Sequence, residues 1–264
     1  MEAYQNFNPS LEQALRTVRE VSQQRGETNW TRYGDSIDRY DAYFSPILHG
    51  QSIVDMLSEK EAPIVLDLMA PSETIVDLFG RLPQPQKYGI ALSYEDLRSV
   101  DQKERDKELH IQQLQGDITE VTTWKTLEKS LKGKKADLIM ERAMGGISCL
   151  PVHKSFYVYA VAKMWDMLSP EEGTLLVQIP TIEKLESVDV FIPEWVEDLR
   201  GNGIEAESYS LASLLNGDVL DKLPLLKELP SCNALKLIKR PDSPVTLPIP
   251  HLEQHTAIFE NHHQ

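Results

Sequence analysis

Cysteine is nearly absent: the 264 residues contain 2, Cys149 and Cys232, and these have no metal-ligand spacing. The simplest setting for such a chain is a reducing, cytoplasmic one. Long hydrophobic runs are absent as well. No apolar stretch approaches the roughly 20 residues that span a bilayer, so a membrane is not an expected partner. The first residues, MEAYQNFNPSLEQALRTVRE, have neither a basic start nor an apolar segment behind it, and so lack the marks of a secretory signal. Positive charge is scarce, with 27 Lys and Arg against 41 Asp and Glu, for a net charge of -14. A duplex-binding protein must neutralise phosphates with clustered cations. The best cluster here, KSLKGKK at residues 129–135, reads as a solvated helix end and turn. Nucleic acid is therefore not expected as a partner, and a small-molecule substrate is.

What remains is an ordinary globular composition, 41% hydrophobic and 26% charged, in a chain long enough for one large α/β domain. No internal repeat or low-complexity tract is evident. Residues 9–24 carry Leu11, Leu15, Val18 and Val21 on one helical face. A polar stretch with aromatics follows, then QSIVDMLSEK, which reads as a helix. From residue 63 strands and helices alternate. APIVLDL, KYGIALS, HIQQLQGDI, ADLIMER and GTLLVQIP are predicted strands, with IEAESYSL and NALKLIKR as the last two. SETIVDLFGRL, SYEDLRSVDQKERDKEL, TTWKTLEKSLKG, VHKSFYVYAVAKMWDML and PEWVEDLRGNG are predicted helices. Ser93 and Asp96 have capping-box spacing at the start of one, Gly133 closes another, and a proline opens the last. Helical ASLLNGDVLDKLPLLKEL is placed between the last two strands. This pattern implies a mainly parallel, doubly wound sheet with helices on both faces. Ligands bind such sheets outside the carboxyl ends of the strands, which directs attention to Asp67, to residues 91–93, to Asp117, and to Glu141 with Arg142.

The order and spacing from residue 53 to 240 resemble the class I S-adenosylmethionine-dependent methyltransferases. That resemblance implies an α/β, Rossmann-like sheet of seven strands, the last antiparallel. It implies an N-terminal helical lid or cap at 1–60 and the α/β domain at 61–240, while the proline-rich tail at 241–264 reads as extended or loosely packed. It implies S-adenosylmethionine as cofactor, with a first-strand acid and turn around its amino-acid part, an acid on the ribose and a Gly-Asp at the adenine. Asp67 matches the first acid, and Gly116, Asp117 and Ile118 match the adenine motif. Two pieces depart. The turn after Asp67 reads Met69, Ala70, Pro71, Ser72, Glu73, without the family's glycines, and Ala91 stands where the ribose acid belongs, followed by Leu92 and Ser93. Glycine lets a turn take positive φ and approach a ligand closely. Pro71 removes a backbone donor, and Glu73 brings negative charge beside the expected carboxylate of the cofactor.

Each candidate carries two readings. Asp67 is either a cofactor-side acid or an acid satisfied by the turn that follows it. Asp117 is expected at the adenine. Glu141, implied as the acid facing the methyl acceptor, and Arg142 face apart if the strand continues through both. Trp30, Tyr33, Tyr40, Tyr43 and Phe44 either fold over the cofactor, with Tyr40 and Tyr43 against adenine or the sulfonium, or belong to a helix packed on the sheet. Gly145 and Gly146 read as a loop, since no lysine with Ser or Thr completes a phosphate loop. His251, His255, His262 and His263 read as a solvated tail, so no metal is expected. The methyltransferase reading is carried beside a non-catalytic binding or scaffold protein on the same fold. A nicotinamide dehydrogenase is disfavoured, because no G-x-G-x-x-G follows the first strand.

Overall fold

The structure, a computed structural model, describes residues 36–68, 70–93, 95–118, 120–142, 154–180, 186–210 and 232–249. The expected helices at 9–24 and between the last two strands, the aromatics Trp30 and Tyr33, and Met69, Gly145, Gly146, Cys149 and the four C-terminal histidines lie outside the described residues. The described elements are α1 (Ile37–Leu48), α2 (Ile53–Ser58), β1 (Ile64–Leu68), α3 (Glu73–Arg81), β2 (Tyr88–Ser93), α4 (Val100–Glu108), β3 (Ile111–Gln115), α5 (Val121–Ser130), β4 (Leu138–Glu141), α6 (Lys154–Met167), β5 (Gly173–Pro180), α7 (Glu186–Gly201), β6 (Glu205–Ser210) and β7 (Cys232–Lys239). No described helix is long and apolar enough to cross a membrane.

Seven strands form one sheet in the order β3-β2-β1-β4-β5-β7-β6. The pairs from β3 through β5 are parallel, and β7 runs antiparallel to both β5 and β6. This is the mixed seven-stranded α/β sheet expected from the sequence. All five residues of β1 are buried, because helices cover both faces of a central parallel strand. On one face Leu66, Leu68, Ile90, Leu92 and Ile139 pack with Trp124, Trp165 and Trp195 of α5, α6 and α7. On the other, Val65, Ala91, Leu138 and Met140 pack with Ile37, Tyr40, Phe44, Ile75, Leu78 and Phe79 of α1 and α3. The chain moves outward from β1 through β2 to β3 and then returns to β4 on the other side of β1. The switch point in strand order therefore lies between β1 and β4.

Several local features differ from the sequence reading. The helix after β2 begins at Val100, and its capping box is formed by Ser99 and Gln102. Ser93 instead donates to the Glu95 carbonyl at 2.7 Å. Asp96 is gripped by the Arg98 guanidinium, whose hydrogen bonds hold the carboxyl down at about 2. A local ion pair thus satisfies Asp96 outside the helix. Pro193 lies inside α7 rather than at its start. The aromatic segment, left open in sequence between a lid over the cofactor and a helix packed on the sheet, is helical from Ile37, with Pro46 inside α1. Pro46 has no N–H for the Ala42 carbonyl, and the Ser45 hydroxyl donates to that carbonyl at 3.0 Å instead. The start of the tail, as far as residue 249, packs against the domain. Leu247 is 2% exposed, and the indoles of Trp165 and Trp195 donate to the carbonyls of Pro244 and Pro248.

Gly89 sets the distance between α3 and the sheet. A Cβ there would lie 2.7 Å from Cγ2 of Ile75 and 3.3 Å from the Phe79 ring. Ile75 is β-branched and fully buried, so it has little freedom to yield. Gly89→Ala should destabilise the fold by about 1–3 kcal/mol through overpacking. The check is a lower urea midpoint with an unchanged denaturant slope; an unchanged midpoint would show that α3 does not sit this close.

Candidate active site

The carboxyl end of β1 is built around Asp67. Parallel register places it beside Ala91 of β2 and Met140 of β4, on the face covered by α1 and α3. Its side chain is 0% exposed. A carboxylate at such a position must be hydrogen-bonded or neutralised. The Tyr40 hydroxyl approaches both carboxylate oxygens at 3.2 Å and lies 3.4 Å from the Arg142 carbonyl. The phenol is held well above its usual range, by burial first and the Asp67 charge second, while Thr74 and Arg142 pull the other way.

Tyr40 reaches this position because Ile37, Tyr40, Phe44, Ile47 and Leu48 form one buried stripe along α1. Both ends of the helix are tied down. The Ile37 amide donates to Asp77 of α3 at 2.9 Å, and Arg81 pairs with Asp38 and Asp77. At the other end Lys236 of β7 donates to the Ile47 carbonyl at 2.6 Å. The described aromatics belong to a helix packed on the sheet face, and the Tyr40 hydroxyl reaches the strand end. The Arg142 guanidinium lies 5.3 Å from the Tyr40 ring centroid and 5.2 Å from that of Tyr43. Phe44 meets Tyr43 edge-on at 5.0 Å. Arg142 thus lies over ring faces that one of the two sequence readings gave to the cofactor. Strand alternation could have placed Arg142 on this face, whereas nothing in the sequence singled out Thr74.

Glu141 lies on the other side of the strand. Its register partners are Leu68 and Val177, which belong to the opposite core, and it is 1% exposed. The first turn holds Ala70, 2% exposed, and Ser72, 0% exposed at the start of α3. The Ser72 hydroxyl makes no cap to α3, and it is buried without a hydrogen-bond partner among the described residues. Glu73 turns toward α4, where one oxygen accepts from Gln102 at 2.8 Å.

The end of β2 presents buried Ala91, Leu92 and Ser93, and the Ser93 hydroxyl is further engaged by Gln113 at 2.9 Å. The Gly116 amide donates to the Ser93 carbonyl at 3.0 Å, which joins the ends of β3 and β2. Gly116 also has a packing reason to be glycine, since a Cβ would lie 2.8 Å from the Thr123 hydroxyl. That hydroxyl accepts from the Asp117 amide at 3.1 Å, leaving Asp117 partly exposed at the rim. Ile118 is buried, and its carbonyl accepts from the Trp124 indole at 2.8 Å.

No family model matches the chain, and no curated protein matches it. Solved structures similar to it include an O-methyltransferase from Bacillus cereus in complex with SAH, at 9% identity and TM-score 0.47 over 86% of this chain and 91% of that one. Another is an S-adenosylmethionine-dependent methyltransferase from Geobacter sulfurreducens in complex with S-adenosyl-L-homocysteine, at 14% identity and TM-score 0.40 over 71% and 89%. A third is an O-methyltransferase family protein from Burkholderia thailandensis, at 13% identity and TM-score 0.38, covering 77% of this chain and 59% of that protein's length. The fold assignment rests on the strand order described above.

Removing the Tyr40 hydroxyl tests the centre of this arrangement. Tyr40→Phe leaves Asp67 short of a donor and should cost about 1–3 kcal/mol at neutral pH. The alkaline limb carries a sign. The folded phenol keeps its proton above its usual value of 10.0, where the unfolded chain releases one. Wild-type stability should therefore fall as pH rises through about 10, and the Phe variant should lack that component. Urea midpoints measured from pH 7 upward would refute the Tyr40–Asp67 bond if wild type and variant coincided throughout.

Proposed function

We propose that this chain binds S-adenosylmethionine across the carboxyl ends of β1, β2 and β3 and directs its methyl group to a small-molecule acceptor. The observation that carries the reading is the Ser72 hydroxyl in the first turn, buried without a hydrogen-bond partner among the described residues, beside a strand whose last-but-one residue is a buried acid. Orphaned buried polar groups are uncommon enough to need a cause. An uncapped α3 N-terminus next to Ser72 suits an anionic group such as the carboxylate of the cofactor. Ala70 is small enough to let the backbone approach, and Met69 completes that turn in sequence. Glu73, engaged with Gln102, is drawn away from the place where it would repel that carboxylate.

Asp117 is the residue we assign to the adenine amino group, with Ile118, Leu92 and Ser93 beside the ring and ribose. Tyr40 and Tyr43 act through Asp67 and Arg142 rather than by direct contact. Ala91 offers no side-chain acceptor, and a lost charged hydrogen bond of about 1.5–3 kcal/mol weakens binding roughly ten- to hundred-fold. The cofactor supplies a methyl group on a positively charged sulfur. The protein's task is to hold the acceptor in line with it, and Glu141 is our candidate to orient the acceptor and take its proton.

A second reading has a specific observation behind it. Tyr40 spends its hydroxyl on both oxygens of a fully buried Asp67. A methyltransferase-like binding or scaffold protein would use the acid in this way, to fix its own N-terminal helix.

Thermal melting separates the two. At one hundred times its dissociation constant, a ligand stabilises the fold by about 2.7 kcal/mol, a melting rise of roughly 5–10 °C for a chain this size. S-adenosylmethionine and its demethylated product should both produce it. Asp117→Ala should remove most of the rise, and Asp101→Ala, exposed on α4, should leave it unchanged. If millimolar amounts of either compound leave the wild-type melting temperature unmoved, the binding or scaffold reading replaces the enzyme.

A further inference from the structure

At the amino ends of β2 and β3, remote from Asp67 along the strands, lies a pocket of about 530 Å3. Lys87, Lys107, His110, Lys132 and Lys134 line it, with Tyr88 in the wall and no carboxylate among its lining residues. Such a concentration of cations is unexpected in a chain of net charge -14. Elsewhere in the described structure Lys60, Arg81, Arg98, Lys103, Arg105, Lys163, Arg200 and Arg240 are paired with carboxylates. Around this pocket no ion pair among the described residues engages Lys107, Lys132 or Lys134.

Helix ends account for part of the cluster. The Lys87 ammonium donates to the carbonyls of Phe79 and Leu82 at 2.8 and 2.9 Å, and Lys107 lies in the last turn of α4. Cations at such positions offset the negative end of a helix. Lys134 is not explained this way, since it follows the turn that ends α5. Lys132 takes a left-handed φ of 52° immediately before Gly133, and His110 does the same at 57°. Glycine would adopt those conformations without strain, yet both positions carry a basic side chain that lines the pocket. Tyr88 forms a fixed wall through its hydroxyl bonds to Gln112 at 2.9 Å and to the Ser130 carbonyl at 3.2 Å.

We propose that this pocket binds a small molecule bearing phosphoryl groups. Several ammonium groups around one opening match the dense charge of phosphoryl oxygens. The volume is that of a metabolite site, with Ile111 and Leu131 beside Tyr88 to receive the organic part. The site is separate from the proposed cofactor cleft and does not depend on methyl transfer.

The probe is sodium pyrophosphate, titrated calorimetrically at low salt into the full chain. Saturable binding at one site is expected, weakening as salt is raised. Lys132→Ala with Lys134→Ala should weaken it at least about tenfold, the equivalent of one charge-assisted hydrogen bond. Both side chains are exposed, so the melting temperature of this double variant should match the wild type. Lys125→Ala with Lys129→Ala removes the same charge from exposed positions that do not line the pocket, and should leave binding intact. The proposal is overturned if millimolar pyrophosphate gives no saturable heat, if both double variants weaken binding equally, or if only a long polyanion such as structured RNA binds.

Discussion

Asp67 sits one residue from the end of β1, an interior strand of the sheet, with no exposed surface, and the structure around the switch point is arranged to make that tolerable. Burying an isolated carboxylate costs several kcal/mol even after relaxation. A donor comes from Tyr40, 27 residues earlier. To deliver it, α1 must lie against the sheet in one register. This explains why Asp77 and Arg81 fasten its start and Lys236 its end. The N-terminal segment is therefore bound into the fold by an electrostatic requirement of β1, in addition to its apolar stripe.

The sheet was legible in the sequence because its chemistry is coarse. A strand buried on both faces needs a continuous apolar run, and a crossover helix needs a 3.6-residue stripe. Those two signals gave the seven strands and the helices between them. The errors were local, where one side chain decides between alternatives that composition does not separate. Ser93–Asp96 and Ser99–Gln102 both have capping spacing, and Arg98, by gripping Asp96, selects the second. Pro46 would ordinarily argue against α1, but the Ser45 hydroxyl satisfies the carbonyl that proline leaves open. Leu247 is one of several scattered apolar residues in a proline-rich tail, and nothing in sequence reveals that two buried indoles need the carbonyls of Pro244 and Pro248.

The site was less legible, because its residues have structural and functional reasons to be there at once. Gly116 fits a cofactor motif, and it is also required by the approach of Thr123. Asp67 fits the family's first-strand acid and serves as the anchor of α1. Tyr40 had two readings, a cofactor contact or part of a helix packed on the sheet, and the structure gives its hydroxyl to the acid and places Arg142 over its ring. In each case the residue type is dictated twice, so its presence alone cannot identify which demand came first. Ser72 differs. Its hydroxyl is buried and satisfies nothing in the described chain, so packing supplies no second reason for it.

The parallel topology also divides the molecule electrostatically. Helices that follow parallel strands start at the carboxyl edge of the sheet and end at the amino edge, so amide ends collect at one and carbonyl ends at the other. The carbonyl edge draws in cations. Lys87 serves the end of α3, and Lys239 donates to the Trp165 carbonyl near the end of α6 at 2.8 Å. Once enough lysines have gathered to satisfy carbonyls, each further lysine meets like charge instead of a partner. Lys132 and Lys134 are in that position, beyond the helix end and beside cations already committed. The topology therefore explains why an acidic protein concentrates positive charge at this edge, and it also shows where that charge exceeds what the helix ends require.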